Sequence, residues 1–84
     1  MNNKHRKTLD ALFAEPINGN MDWARIEAAL VAMGCRVIEG PGSAVTFEHN
    51  GHRANFHRPH PDKEAFRYRI KAVREFLEKI GVER

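Results

Sequence analysis

The sequence predicts an α+β domain in which helices cover one face of a three-stranded antiparallel sheet. Three observations predict it. Asn50-Gly51 separates two runs of alternating character, Ala44 to His49 and His52 to His57, and that dipeptide is the strongest short-range signal for a hairpin. Apolar residues recur at three- and four-residue steps on either side of the hairpin, as amphipathic helices require. The chain has 84 residues, enough for one modest core and too few for a second lobe with its own substrate pocket. Function is therefore expected on a surface or in a shallow groove.

Residues 4 to 14 carry Leu9, Leu12 and Phe13 at helical spacing behind a basic start, and Pro16 with Asn18-Gly19-Asn20 ends that segment in a loop. Residues 1–20 are thus read as a helical extension and loop, and residues 21–84 as the main domain. Asn20 or Asp22 can cap the next helix, where Trp23, Ile26, Leu30 and Met33 form one stripe and Gly34 stops it. Cys35 to Glu39 is short, β-branched in its middle and closed by Gly40-Pro41-Gly42, which reads as an edge or hairpin strand.

The Asn50-Gly51 turn then specifies a register. With those two residues as the loop, His49 faces His52, Glu48 faces Arg53, Phe47 faces Ala54, Thr46 faces Asn55, Val45 faces Phe56 and Ala44 faces His57. Side chains alternate between faces, so Val45, Phe47, Ala54 and Phe56 belong to the core side. Ala44, Thr46, Glu48, Arg53, Asn55 and His57 belong to the other, which should meet solvent or a ligand. Pro59 and Pro61 break the strand, and from about Lys63 a final helix is expected to align Phe66, Ile70, Val73, Leu77 and Ile80, with Gly81 as its stop.

Fourteen Lys and Arg against eleven Asp and Glu give +3, a mild basicity that suits a polyanion or an acidic protein partner. The single cysteine, Cys35, excludes an internal disulfide and a zinc site built from cysteine pairs, and fits a reducing cytoplasm. No apolar run is long enough for a signal peptide or a membrane span.

His57-Arg58-Pro59-His60-Pro61 gathers two imidazoles and a guanidinium where strand meets helix. A metal-free ribonuclease needs a base for the 2′-hydroxyl proton and an acid or cation at the phosphorane, and histidine serves both near neutral pH. The other open reading is a pair of surface histidines in a proline-rich turn. The His-x-x-His spacings at His49/His52 and His57/His60 are weak as metal sites, because the two pairs lie at opposite ends of the hairpin and zinc takes three or four ligands. Neither a metal nor another cofactor is expected. Arg67, Lys71 and Arg74 either contact phosphates or form a solvated face paired with Glu64, Glu75 and Glu78. Trp23, Phe66 and Phe76 read as packing rather than base-stacking platforms, and Cys35 as a small buried residue rather than a nucleophile.

Four features stand in a characteristic order: a helix ending Ala32-Met33-Gly34-Cys35, a Gly42-Ser43 turn entering a strand with Phe47, the Pro59-His60-Pro61 element, and a last helix closing Lys79-Ile80-Gly81-Val82. In these the chain from Trp23 onward resembles the HicA toxin family, the small mRNA-cleaving members of bacterial HicA/HicB toxin-antitoxin pairs. The resemblance implies a fold similar to double-stranded-RNA-binding domains, with the first helix extra. It also implies endoribonuclease activity, mRNA as the target, and a HicB-type antitoxin covering the active face. In the family the residue after Gly-Ser is the catalytic histidine, whereas Gly42-Ser43 is followed here by Ala44. Either the chain is a disabled form or another group acts, and His57 faces Ala44 with Cβ atoms about 5 Å apart. The expected site therefore comprises the Ala44 position, His57 and His60 for chemistry, with Ser43, Arg53, Asn55, Arg58, Lys63, Arg67 and Lys71 contacting RNA. A non-catalytic module that binds RNA or the antitoxin through the same face is the alternative.

Overall fold

The computed structural model describes residues 2–59 and 64–82 of the chain. Along it run α1 (Asn3–Leu12), β1 (Met21–Asp22), α2 (Trp23–Ala32), β2 (Arg36–Glu39), β3 (Ala44–His49), β4 (His52–His57), β5 (Glu64–Ala65) and α3 (Arg67–Lys79). The first two helices start at side chains able to take an otherwise unpaired N–H. Asn2 accepts from the His5 amide at 3.0 Å, and Asp22 accepts from the Ala24 amide at 2.9 Å. Gly34, at φ 96°, lets the chain leave α2 and turn into β2. Its amide bonds the Val31 carbonyl and the Cys35 amide bonds that of Leu30, closing the last turn.

β2, β3 and β4 form an antiparallel sheet in that order. Asn50 at φ 51° and Gly51 at φ 83° make the tight turn, and β3 pairs with β4 in the register expected from it, from His49↔His52 to Ala44↔His57. β2 adds Arg36 opposite Glu48 and Ile38 opposite Thr46, which puts both on the polar face. On the other face Val45, Phe47 and Phe56 are buried. Trp23 of α2 packs on them, with ring centroids 5.5 Å from Phe56 and 6.5 Å from Phe47, and each such tilted aromatic pair adds about 0.5–1.5 kcal/mol to area burial. Ile26 and Leu30 of α2, Ile70, Val73, Phe76 and Leu77 of α3, and Leu9 and Leu12 of α1 complete one continuous core. The architecture is α+β and like that of double-stranded-RNA-binding domains, with α1 added.

Two details differ from expectation. β1 and β5 form a two-residue antiparallel ladder, Met21↔Ala65 and Asp22↔Glu64, that joins the start of α2 to the approach to α3. Because this ladder holds residues 64 and 65 extended, α3 begins at Arg67 rather than near Lys63. Phe66 consequently leaves the apolar stripe: it is 52% exposed, and fully buried Ala65 occupies the core instead.

Arg74 of α3 also has a structural place. Its Nε and Nη2 donate to the carbonyls of Leu12 and Ala14 at 2.8 and 2.9 Å, its Nη1 pairs with Glu15, and its guanidinium lies over the Phe13 ring. A cation is thereby set at the C-terminal end of α1, where the unpaired carbonyls carry partial negative charge. Among the described residues no helix is long and apolar enough to cross a membrane.

Candidate functional site

The sheet face away from the helices carries the polar side chains. At the Asn50-Gly51 end Arg53 donates to Glu48 at 2.6 Å, with Arg36 on the other Glu48 oxygen at 3.6 Å. The Arg53 hydrogen bond holds the Glu48 carboxyl below its ordinary pKa. Toward the middle the Thr46 hydroxyl donates to Asn55 Oδ1, which leaves the Asn55 amide as a donor on the same face.

At the opposite end the Gly40 to Gly42 turn brings Ser43 beside His57. A Cβ on Gly40 would stand 3.0 Å from that of Ala44, so the turn closes against β3 only because residue 40 has no side chain. The amide of Gly40 bonds the Ala44 carbonyl, and that of Ala44 bonds the Pro41 carbonyl. The Arg58 amide donates to the Ser43 carbonyl at 2.9 Å, pinning the end of β4 to the turn. His57 is exposed directly opposite Ala44, with Nδ1 3.3 Å from Ser43 Oγ. In the tautomer whose Nδ1 proton goes to Ser43, the other ring nitrogen, Nε2, carries the lone pair.

Arg58 directly follows the last residue of β4, and its side chain reaches toward α2 and β2. Its Nε donates to Glu27 of α2 at 2.6 Å and its Nη1 to Glu39 of β2 at 2.7 Å. Hydrogen bonds to Glu39 and then Glu27 raise the guanidinium pKa further, and the Arg58 hydrogen bond lowers that of Glu39. Arg58 is thus the centre of a helix-to-sheet brace. Arg67 and Lys71 are exposed on α3. His60 and Lys63 lie outside the described residues.

Of the other described histidines, His49 stands opposite His52 beside the Asn50-Gly51 turn, at the far end of the hairpin from His57. His49 has Nδ1 3.3 Å from the Gly34 carbonyl. Among the described residues no group of three or more His, Cys, Asp or Glu could hold a metal ion. Cys35 is buried, and burial pushes its thiol pKa up, away from the thiolate a nucleophile needs.

Sequence reasoning missed one component. A groove of about 260 Å³ runs beside His57, lined by Asn55, Phe56 and His57 of β4 and by Tyr68, Arg69 and Ala72 of α3. The one signal for it was Tyr68-Arg69, an aromatic and a basic residue side by side at a helix start and off the stripe that Ile70, Val73 and Leu77 define.

A family model described as HicA toxin of bacterial toxin-antitoxin matches residues 23–82, most of the chain. Comparison with curated proteins gave no match, and comparison with solved structures gave none either.

Proposed function

Because the chain belongs to the HicA toxin family of bacterial toxin-antitoxin systems, we propose that it is an RNA-cleaving toxin in which His57 does the work that the residue at position 44 cannot. The observation that carries this reading is the pairing of exposed His57 with Ala44 and the 3.3 Å approach of its Nδ1 to Ser43. Ser43 holds the ring with Nε2 as base. That nitrogen takes the proton of a ribose 2′-hydroxyl, the 2′-oxygen bonds to phosphorus, and the P–O5′ bond breaks. The 5′-oxygen then receives a proton, and a 2′,3′-cyclic phosphate remains. His60 is assigned to the phosphate or the leaving group. Ser43, Asn55 and Arg53 supply donors along the face, and Arg67 and Lys71 supply phosphate contacts from α3. Arg58 contributes through its brace, which fixes the backbone on which His57 stands. No metal or cofactor takes part in this reading.

Ala44 itself favours a second reading, since a methyl group exchanges no proton: a disabled toxin that still binds RNA and its antitoxin. One RNA incubated with the starting chain, His57→Ala and Ala44→His separates them. Cleavage by the starting chain that is lost in His57→Ala supports the proposal. An inactive starting chain with an active Ala44→His supports the disabled form. Inactivity of all three with RNA binding intact overturns the enzyme reading.

The partner is proposed to be a HicB-type antitoxin whose acidic groups cover the face bearing Arg53, Asn55 and His57 in the cytoplasm. Co-purification with the product of an adjacent reading frame, and protection of β3 and β4 amides in the complex, is the expected result. Protection confined to residues 2–14 would place the interface elsewhere.

A further inference from the structure

Two large aromatic side chains that water could drive inward stay outside. Phe66 is 52% exposed and Tyr68 is 64% exposed, and their rings are nearly parallel, 22° apart with centroids at 6.0 Å. The Arg69 guanidinium lies 5.6 Å from one centroid and 5.1 Å from the other. Tyr68 and Arg69 line the groove that also contains His57, while Phe66, Arg67 and Tyr68 line a second groove with Gly19 and Asn20. The aromatic pair therefore lies between two channels, one of which leads to the imidazole.

We propose that Phe66, Tyr68 and Arg69 form a stacking platform for unpaired bases of single-stranded RNA, placed to hold a nucleotide next to the phosphate at His57. This inference rests on RNA being the target. Flat, parallel, exposed rings beside a guanidinium suit a nucleobase, because every base has a π-face and stacking tolerates any sequence. The charge agrees with a polyanion: Arg67, Arg69 and Lys71 crowd the first turns of α3. Arg69 adds an independent observation. Its Nη1 is buried and has no hydrogen-bond partner among the described residues, which leaves the rest of the guanidinium to face the rings and the groove. A hydrophobic protein segment would meet the cationic rim of Arg67, Arg69 and Lys71. A fully paired duplex would offer its base edges and backbone, and no free base face except at its ends.

The test uses the full chain and a short mixed-sequence 2′-O-methyl oligoribonucleotide, which lacks the nucleophilic hydroxyl, so binding is read by fluorescence anisotropy without cleavage. Tyr68→Ala should weaken binding of the single strand about 5- to 150-fold, the range spanned by removal of one stacked aromatic. Tyr68→Phe should stay within about twofold of the starting chain, because it keeps the ring. Binding of the same sequence as a duplex should not change in Tyr68→Ala. Melting curves show that each variant is folded, and Tyr68 is exposed enough that its loss removes little core. If the starting chain binds neither single strand nor duplex, the RNA reading fails and the platform with it. If it binds the single strand and Tyr68→Ala binds equally well, the platform alone fails. If Tyr68→Ala leaves RNA binding intact but weakens the antitoxin complex, the pair is a protein contact and the inference is overturned.

Discussion

Replacing Arg74 with Met should loosen the first helix from the rest of the fold. The guanidinium side chain is only 15% exposed and makes three contacts at the end of α1: the Leu12 carbonyl at 2.8 Å, the Ala14 carbonyl at 2.9 Å and the Glu15 carboxylate. Methionine keeps most of the aliphatic stem and its contact with Phe13, so the change isolates the donors. Glu15 is 73% exposed, and an ion pair of that kind contributes only about 0–1 kcal/mol. The two carbonyl bonds have a charged donor, worth about 1.5–3 kcal/mol each, and water reaching the freed carbonyls recovers part of that. A net loss of about 2–4 kcal/mol follows, or a fall in Tm of about 10–30 °C for a domain of this size. Thermal and urea unfolding of Arg74→Met and Glu15→Gln, measured together, give the comparison. If the two variants lose the same small amount, the carbonyl clamp is not what holds α1.

Three further outcomes are expected. Glu39 and Glu48 both have lowered pKa values in the fold, chiefly from hydrogen bonds to Arg58 and Arg53, so their contribution is present above the ordinary carboxylate value of 4.5 and is lost as pH falls through the folded values. The stability gap between the starting chain and the Glu39→Gln, Glu48→Gln double variant should therefore be constant well above the ordinary carboxylate value of 4.5 and shrink as pH falls below it in acid titrations. Cys35, buried with a raised pKa, should react with a thiol reagent at neutral pH only as fast as the chain unfolds, and prompt labelling of native protein would contradict its burial. Gly51→Val should cost about 1–2 kcal/mol or more in urea unfolding, since φ 83° is hostile to a β-branched residue, and an unchanged midpoint would argue against the tight turn.

The hairpin was legible because its signals are local. Asn50 and Gly51 tolerate positive φ, the alternation from Val45 to Phe56 has a period of two, and together they place Ala44 opposite His57 without further information. α2 was equally plain from Trp23, Ile26 and Leu30 between a capping Asp22 and Gly34. What stayed hidden depends on contacts between distant segments. A two-residue ladder has no period to read, so the pairing of Met21 with Ala65 was invisible, and with it the reason that Phe66 faces outward. The pairing of Arg58 with Glu27 and Glu39 was hidden as well, because they stand 31 and 19 residues away and no local pattern links them. Arg74 looked like surface charge because its acceptors are carbonyls, which no side-chain pattern reveals. For the candidate site, the register placed His57 opposite Ala44 in advance, while the approach of Ser43 to its ring, and the arrival of Tyr68 and Arg69 at the same groove, came only with the folded structure.

The clamp between Arg74 and the Leu12 carbonyl spans 62 positions of chain. A ribosome delivers Leu9 and Leu12 long before Val73 and Leu77 exist to bury them, so the nascent N-terminal segment must wait, apolar side chains in water, for α3. The groove at His57 needs that same last helix for one of its walls. Chains cut short before α3 would therefore lack both a closed core and an assembled groove, and quality-control proteases would meet them as unfolded polypeptide rather than as partial toxin.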